Sequence, residues 1–483
     1  VTIRRHGKTI LATALAFLAI SGVLSSYAAQ SRSDAGFRVR MVKLGGDPAA
    51  RATLDHVRYC RKQGFNALWV YSHEAGSWTK TSAPDGPTLA PSFLRLARWC
   101  RWHGMDLWVS INPPGDTFGN FVFSDPDDEH RLVAFITLLR KQAGVRRIVL
   151  SFDDVPRELQ ELSDIFRYGL STAPAQLDLV RRVAEAIPPD VALWLCGSAY
   201  CDAHLAGGQG PYSKPFLAGL ASLPAGIGIV WTGPKVLSPT ITQKDLEATR
   251  ARLGGRPLLL YDNFPVNDDQ NDTMALILGA LRGREAGIRD VVAAYLACPE
   301  HPLAGSRLSL LTTANFLRDP ERYDPDASAR NAIAKLAGSN RDAETALTTQ
   351  QLEWGGFIEG RNYWPRDEMN PVVAATRLHD PAFVESFTWT AARYPGRMEA
   401  LGGVADAAFR VDLLEIMRRR LVIAKAMPLT IAYLQRVRAG RPDADAALAA
   451  VIALRQSEAG DPDAARILDL FLGEAGVPLN EPP

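Results

Sequence analysis

Asp153 and Asp154 stand side by side at the end of the apolar run Arg147–Phe152. Carboxylates at such a place are costly to bury unpaired. Like charges this close push one pKa upward, which suits a group that must donate a proton. Neighbours on a strand point to opposite faces, so a working pair requires the strand to end before them. One carboxylate can then receive a substrate N–H while the other reaches a leaving oxygen. A solvent-facing loop or N-cap pair is the alternative. A metal site finds no support in spacing: His73, Glu74, His204 and the other histidines form no HxH or HExxH pattern, and the five cysteines form no CxxC.

Tyr200, Trp231, Tyr261 and Tyr295 fall near the ends of apolar runs, and Asn263 and Asp268 follow one of them. Aromatic faces with carboxylates and amides suit a polyhydroxyl ligand such as a sugar. Each aromatic taken alone also reads as core.

These residues must be positioned by something. Eight short apolar runs are predicted as strands: 38–43, 67–71, 106–111, 147–152, 192–195, 226–231, 257–261 and 290–296. Their composition fits strands buried on both faces. Stretches of helical period lie between them, the clearest being 50–62, 91–103, 129–142, 173–186, 243–253 and 272–282. This alternation predicts an α/β fold, a (β/α)8 TIM barrel over residues 36–335, with chemistry on the loops after the strands. A doubly wound open sheet is the alternative, but no Gly-rich loop follows the first strand. A turn region around 319–325 precedes a helix over 327–336. Residues 340–483 read as a mostly helical C-terminal domain, with helices at 342–352, 385–394, 404–424, 428–439, 443–458 and 463–470.

The 483 residues carry 54 Lys+Arg against 53 Asp+Glu, with 47% hydrophobic residues. That composition describes a globular chain and gives no support to a nucleic-acid surface. Arg4, Arg5 and Lys8 precede an uncharged stretch to Ala29, with small residues at Ser26 and Ala28. Residues 1–28 thus read as a signal peptide, predicting an exported, periplasmic or secreted protein without stable membrane insertion after cleavage. An uncleaved anchor is the alternative. Cys60 and Cys100 read as buried hydrophobes, whereas pairing of Cys196 with Cys201 stays open.

The run Trp231-Thr-Gly-Pro-Lys-Val-Leu-Ser-Pro-Thr-Ile-Thr242, followed by Arg256-Pro-Leu-Leu-Leu-Tyr-Asp-Asn-Phe-Pro-Val-Asn-Asp268, resembles glycoside hydrolase family 84. Members are retaining β-N-acetylglucosaminidases, including O-GlcNAcases. Phe152-Asp-Asp-Val155, Cys196–Cys201, Leu281–Arg284 and Tyr323–Ala327 are similar to family segments as well. The resemblance implies a glycan or glycoconjugate substrate and substrate-assisted catalysis through an oxazoline, with no metal or organic cofactor. It implies that Asp153 polarises the acetamido N–H and that Asp154 is the general acid, then base. Tyr200 would hold the acetamido group, Asn263 the reacting sugar and Asp268 its outer hydroxyls. Gly45, Trp231 and Tyr261 are further candidate substrate contacts, with Tyr261 where the family usually has tryptophan. The family's Phe-Tyr-Gly turn reads Lys43-Leu-Gly45 here. Glu74 stands at an expected lysine and Cys298 at an expected asparagine, which implies altered sugar recognition, or a glycan-binding barrel without turnover.

Overall fold

The computed structural model describes residues 36–45, 50–206, 211–266, 276–299, 302–354 and 369–478. The candidate Asp268 and the signal segment 1–28 lie outside the described residues.

Eight parallel strands close into a barrel: β1 (Arg40–Lys43), β2 (Ala67–Tyr71), β3 (Asp106–Ile111), β4 (Arg147–Ser151), β5 (Ala192–Cys196), β6 (Gly228–Trp231), β7 (Leu258–Asp262) and β8 (Ala294–Ala297). They pair in chain order, and β8 closes on β1 with Arg40 opposite Tyr295 and Val42 opposite Ala297. Burial on both faces explains their composition: every residue of β6 and β8 is buried, as are four of the five in β2. Helices cover the connections, among them Arg51–Gln63, Pro91–Trp102, Pro126–Leu138, Thr172–Ala186 and Gln243–Arg252. The barrel expectation therefore holds. A two-stranded ladder, Gly76–Ser77 with Thr88–Leu89, is added after β2.

By its contacts the chain divides into two compact units. The first contains the barrel, and the second gathers residues 264–282, 298–315 and 323 onward. Four helices of the second unit start by one local device. Asp324-Pro325, Asn370-Pro371, Asp380-Pro381 and Asp461-Pro462 each put a side-chain acceptor at the N-cap and proline in the first turn. The acceptor satisfies an orphan backbone N–H, and proline has none to lose.

Three expected elements differ. Residues 276–282, the described part of the predicted helix 272–282, are irregular. Their backbone is held instead by other segments: Leu278 N–H donates to the Trp354 carbonyl at 3.1 Å, and Leu281 N–H to Thr312 Oγ1 at 3.1 Å. The predicted helices 404–424 and 428–439 form one helix, Ala407–Arg438, running through Pro428. Val422, Ile423, Ala426, Met427 and Thr430 are buried around that proline, so packing outweighs its local cost of about 3 kcal/mol. Residues 288–291, partly expected in strand, form a short helix before β8.

Candidate active site

β4 ends at Ser151, so the strand has finished before the paired carboxylates. Phe152 still donates its N–H to the Cys196 carbonyl at 2.8 Å, and the chain then turns. Asp154 has φ of 55°, a left-handed conformation uncommon without glycine. That turn frees the two side chains from strand alternation. The Asn112 amide donates to the Asp153 carbonyl at 3.3 Å, pinning the turn from the loop after β3.

A buried chain of hydrogen bonds braces the turn from below. Tyr212 OH donates to Gln176 Oε1 at 2.6 Å, and Gln176 Nε2 donates to Ser198 Oγ at 2.8 Å. Ser198 Oγ donates in turn to the Phe152 carbonyl at 2.9 Å, and Ser198 N–H donates back to Tyr212 OH at 2.9 Å. Gly197 makes room for this chain, because a Cβ there would lie 2.7 Å from Tyr212 OH.

The two carboxyls differ. Asp153 is half-buried, and Ser151 Oγ donates to its Oδ1. Burial raises its pKa above the ordinary aspartate range; the Ser151 hydrogen bond opposes the rise, the Asp154 charge adds to it and Lys43 opposes it. Asp154 is exposed and accepts a hydrogen bond from Tyr200 OH at 2.8 Å. Burial and then that carboxylate hold the Tyr200 phenol far above its usual range. Asp154 and Tyr200 line an open cleft of about 620 Å³ with Ser198, Arg157, Glu158 and Gln160.

Tyr200 is itself positioned from β6. Thr232 N–H donates to the Tyr200 carbonyl at 2.8 Å, and Asp202 N–H donates to the Gly233 carbonyl at 3.0 Å. Trp231 is fully buried, its indole N–H donated to Asp202 Oδ1 at 3.2 Å. The Trp231-Thr-Gly motif thus clamps the segment carrying Tyr200.

The remaining candidates do not line this cleft. Gly45 is buried just beyond β1. Tyr261 is half-buried with its ring edge-on to Trp69, centroids 5.6 Å apart. Asn263 donates its amide to the Val236 carbonyl at 2.9 Å. Glu74 is buried, with Oε2 accepting the Tyr71 N–H at 2.9 Å, so its carboxylate folds back on the start of its own helical turn. Nearby, Asp116 accepts from Ser72 Oγ at 2.5 Å and Trp78 Nε1 at 2.8 Å, joining the loops after β2 and β3. Cys298, in the second unit, is buried and donates its N–H to the Phe264 carbonyl at 3.1 Å. Tyr295, expected on the rim, is instead fully buried with its hydroxyl on Asp262, which also pairs with Arg284.

All five cysteines are buried and none is in a disulfide, Cys196 and Cys201 included. Among the described residues no cluster of three or more His, Cys, Asp or Glu side chains could hold a metal ion. Among them, too, no helix is long and apolar enough to cross a membrane.

Sequence reasoning missed Gln176, Ser198, Tyr212 and Asn112. Gln176 carried a signal. It falls at helical spacing with Ala173, Val180 and Val183 on a buried face, and an amide on such a face needs partners.

The chain is 25% identical over 286 residues to the protein O-GlcNAcases of Rattus norvegicus and Mus musculus, matching 55% of this chain and 30% of each relative. It therefore spans under a third of the length of those curated relatives. Among solved structures, an O-GlcNAc hydrolase variant of Thermobaculum terrenum superposes with TM-score 0.61 at 22% identity, covering 91% of this chain and 94% of that one. CpGH84B superposes with TM-score 0.58 at 17% identity, covering 89% and 77%. These two likenesses concern the fold. The beta-N-acetylglucosaminidase family profile matches residues 87–350, more than half of the chain, and the chain belongs to that family.

Proposed function

We propose that the chain is a retaining glycoside hydrolase that removes terminal β-linked N-acetylglucosamine, or a related 2-acetamido sugar, from a glycan or glycoconjugate. The observation that carries this reading is the pair Asp153–Asp154 beyond the end of β4, with Tyr200 OH on Asp154 at the mouth of an open cleft.

In the proposed reaction Asp153 accepts the acetamido N–H, and the acetamido oxygen attacks the anomeric carbon. The glycosidic C–O bond breaks as Asp154 transfers its proton to the leaving oxygen, giving an oxazoline whose N–H proton passes to Asp153 and returns when the ring reopens. Asp154, now a carboxylate, takes a proton from water, whose oxygen attacks the anomeric carbon and reopens the ring. Asp154 is exposed in the cleft.

A change of sugar specificity is the second reading. It is favoured by Glu74, whose carboxylate is turned onto Tyr71 N–H, and by the buried Cys298. The test is hydrolysis of an aryl N-acetyl-β-glucosaminide by the full chain, with inhibition by a thiazoline mimic of the oxazoline. Affinity for the sugar without turnover would instead identify a glycan-binding barrel, and neither affinity nor turnover would remove both readings.

A further inference from the structure

The loop that carries Asp154 continues into a cation that the proposed reaction does not use. Its backbone is stapled to the start of the helix Thr172–Ala186. The Arg157 carbonyl accepts from Thr172 N at 3.0 Å and from Thr172 Oγ1 at 3.1 Å, while Leu159 N–H donates to the Leu170 carbonyl at 2.8 Å. Arg157 is thus fixed through its main chain, leaving the guanidinium to face other tasks.

That guanidinium lies in the same cleft as Asp154 and Tyr200. Its Nε is sealed from solvent and has no acceptor among the described residues. The charge is felt nearby: after burial, Arg157 is the next influence holding His204 below the usual imidazole range. The His204 ring stands edge-on to Tyr200, with centroids 4.6 Å apart. Arg157 therefore sits on the Asp154–Tyr200 side of the cleft.

Nε is closed to an incoming ligand, so an anion would meet the terminal Nη groups of this half-buried guanidinium, whose planar edge fits the paired oxygens of a carboxylate or phosphate. The exposed Glu158 shares the cleft and opposes an anion. Glu158 is exposed, so its charge is better screened than that of the half-buried Arg157. Asp154 lines this cleft whereas Asp153 does not, and in the proposed reaction Asp154 is the group that meets the leaving oxygen. We propose that Arg157 is a specificity-determining residue that reads an anionic group, carboxylate or phosphate, on the leaving-group side of the glycoside. This assignment rests on the hydrolase reading for which side of the substrate the cleft receives.

The experiment is calorimetric titration of the full chain carrying Asp154→Asn with three aryl 2-acetamido-β-glucosides: 4-carboxyphenyl, 4-(phosphonomethyl)phenyl and neutral 4-carbamoylphenyl. At low salt at least one anionic probe should bind about tenfold tighter than the neutral one. The stronger anion then tells a carboxylate source from a phosphate one. Adding Arg157→Met should equalise charged and neutral probes, Arg157→Lys should retain part of the preference, and Glu158→Gln should enlarge it. Equal binding of all probes, no binding of any, or a preference untouched by Arg157→Met would each overturn the proposal. If Arg157→Met does not fold, the Arg157→Lys and Glu158→Gln responses decide. Hydrolysis of the neutral probe by the chain with Asp154 intact is read separately. Turnover without a charge preference removes only the anion site, and a charge preference without turnover removes only the hydrolase reading.

Discussion

Tyr200 OH donates to Asp154 Oδ1 at 2.8 Å, tying the loop after β5 to the loop after β4. The bond restricts where the exposed carboxylate can point, and it leaves one oxygen of Asp154 for other partners.

Tyr200→Phe should therefore lower kcat/KM on an aryl N-acetyl-β-glucosaminide by about tenfold, the scale of one hydrogen bond to a charged group. Melting temperature should change little, because the phenol is half-buried at the cleft. Steady-state kinetics alongside a thermal melt checks both.

Asp154→Asn should reduce hydrolysis of a glycoside with a poor leaving group by about 10²–10⁴-fold, the usual reach of general acid–base catalysis. An activated aryl leaving group needs less protonation, so its first step should suffer less. Equal losses for the two leaving groups would place Asp154 outside proton transfer.

Asp153 predicts a pH signature in stability. Its folded-state pKa is raised by burial, so the folded chain holds that proton more tightly than the unfolded chain does. The contribution is present below the ordinary aspartate value and is lost as pH rises through the raised one. Asp153→Asn has no such loss. Its melting temperature relative to the parent chain should climb from acid to neutral pH, as read by thermal unfolding at a series of pH values.

The buried pair Arg284–Asp262 should be the costliest single element to break in the barrel. Both side chains are almost fully buried, with Arg284 Nη2 2.6 Å from Asp262 Oδ1 and the Tyr295 hydroxyl on the same carboxylate. Arg284→Met leaves that carboxylate without its cation, at a cost of about 3–5 kcal/mol. Denaturant unfolding would measure it.

The strands were legible because a strand buried on both faces has an unmistakable composition, and all eight fall close to their expected places. The irregular stretch 276–282 was not. Leu276, Ile277, Leu278 and Leu281 are as apolar as a helix face, and hydrogen bonds with Ser309, Thr312, Tyr323 and the Trp354 carbonyl hold them in another conformation. Pro428 misled in the opposite direction, since its local cost is visible in sequence while the packing that offsets it is not. At the site, the Asp153–Asp154 pair and Tyr200 were legible from type and position. Their braces were not, because Gln176 and Tyr212 reach the turn from distant segments, and the burial of Trp231 shows that an aromatic in a motif can serve the backbone beside it.

The seam between β1 and β8 joins residues 40–43 to residues 294–297. Contacts that distant in sequence form late and slowly. During synthesis the first seven strands must wait, with two open edges, until the eighth emerges. A chain stopped short of Ala294 would keep those edges, and an unpaired parallel sheet edge invites other chains to add to it. Soluble yield of barrel truncations should therefore fall abruptly at that point rather than decline in steps.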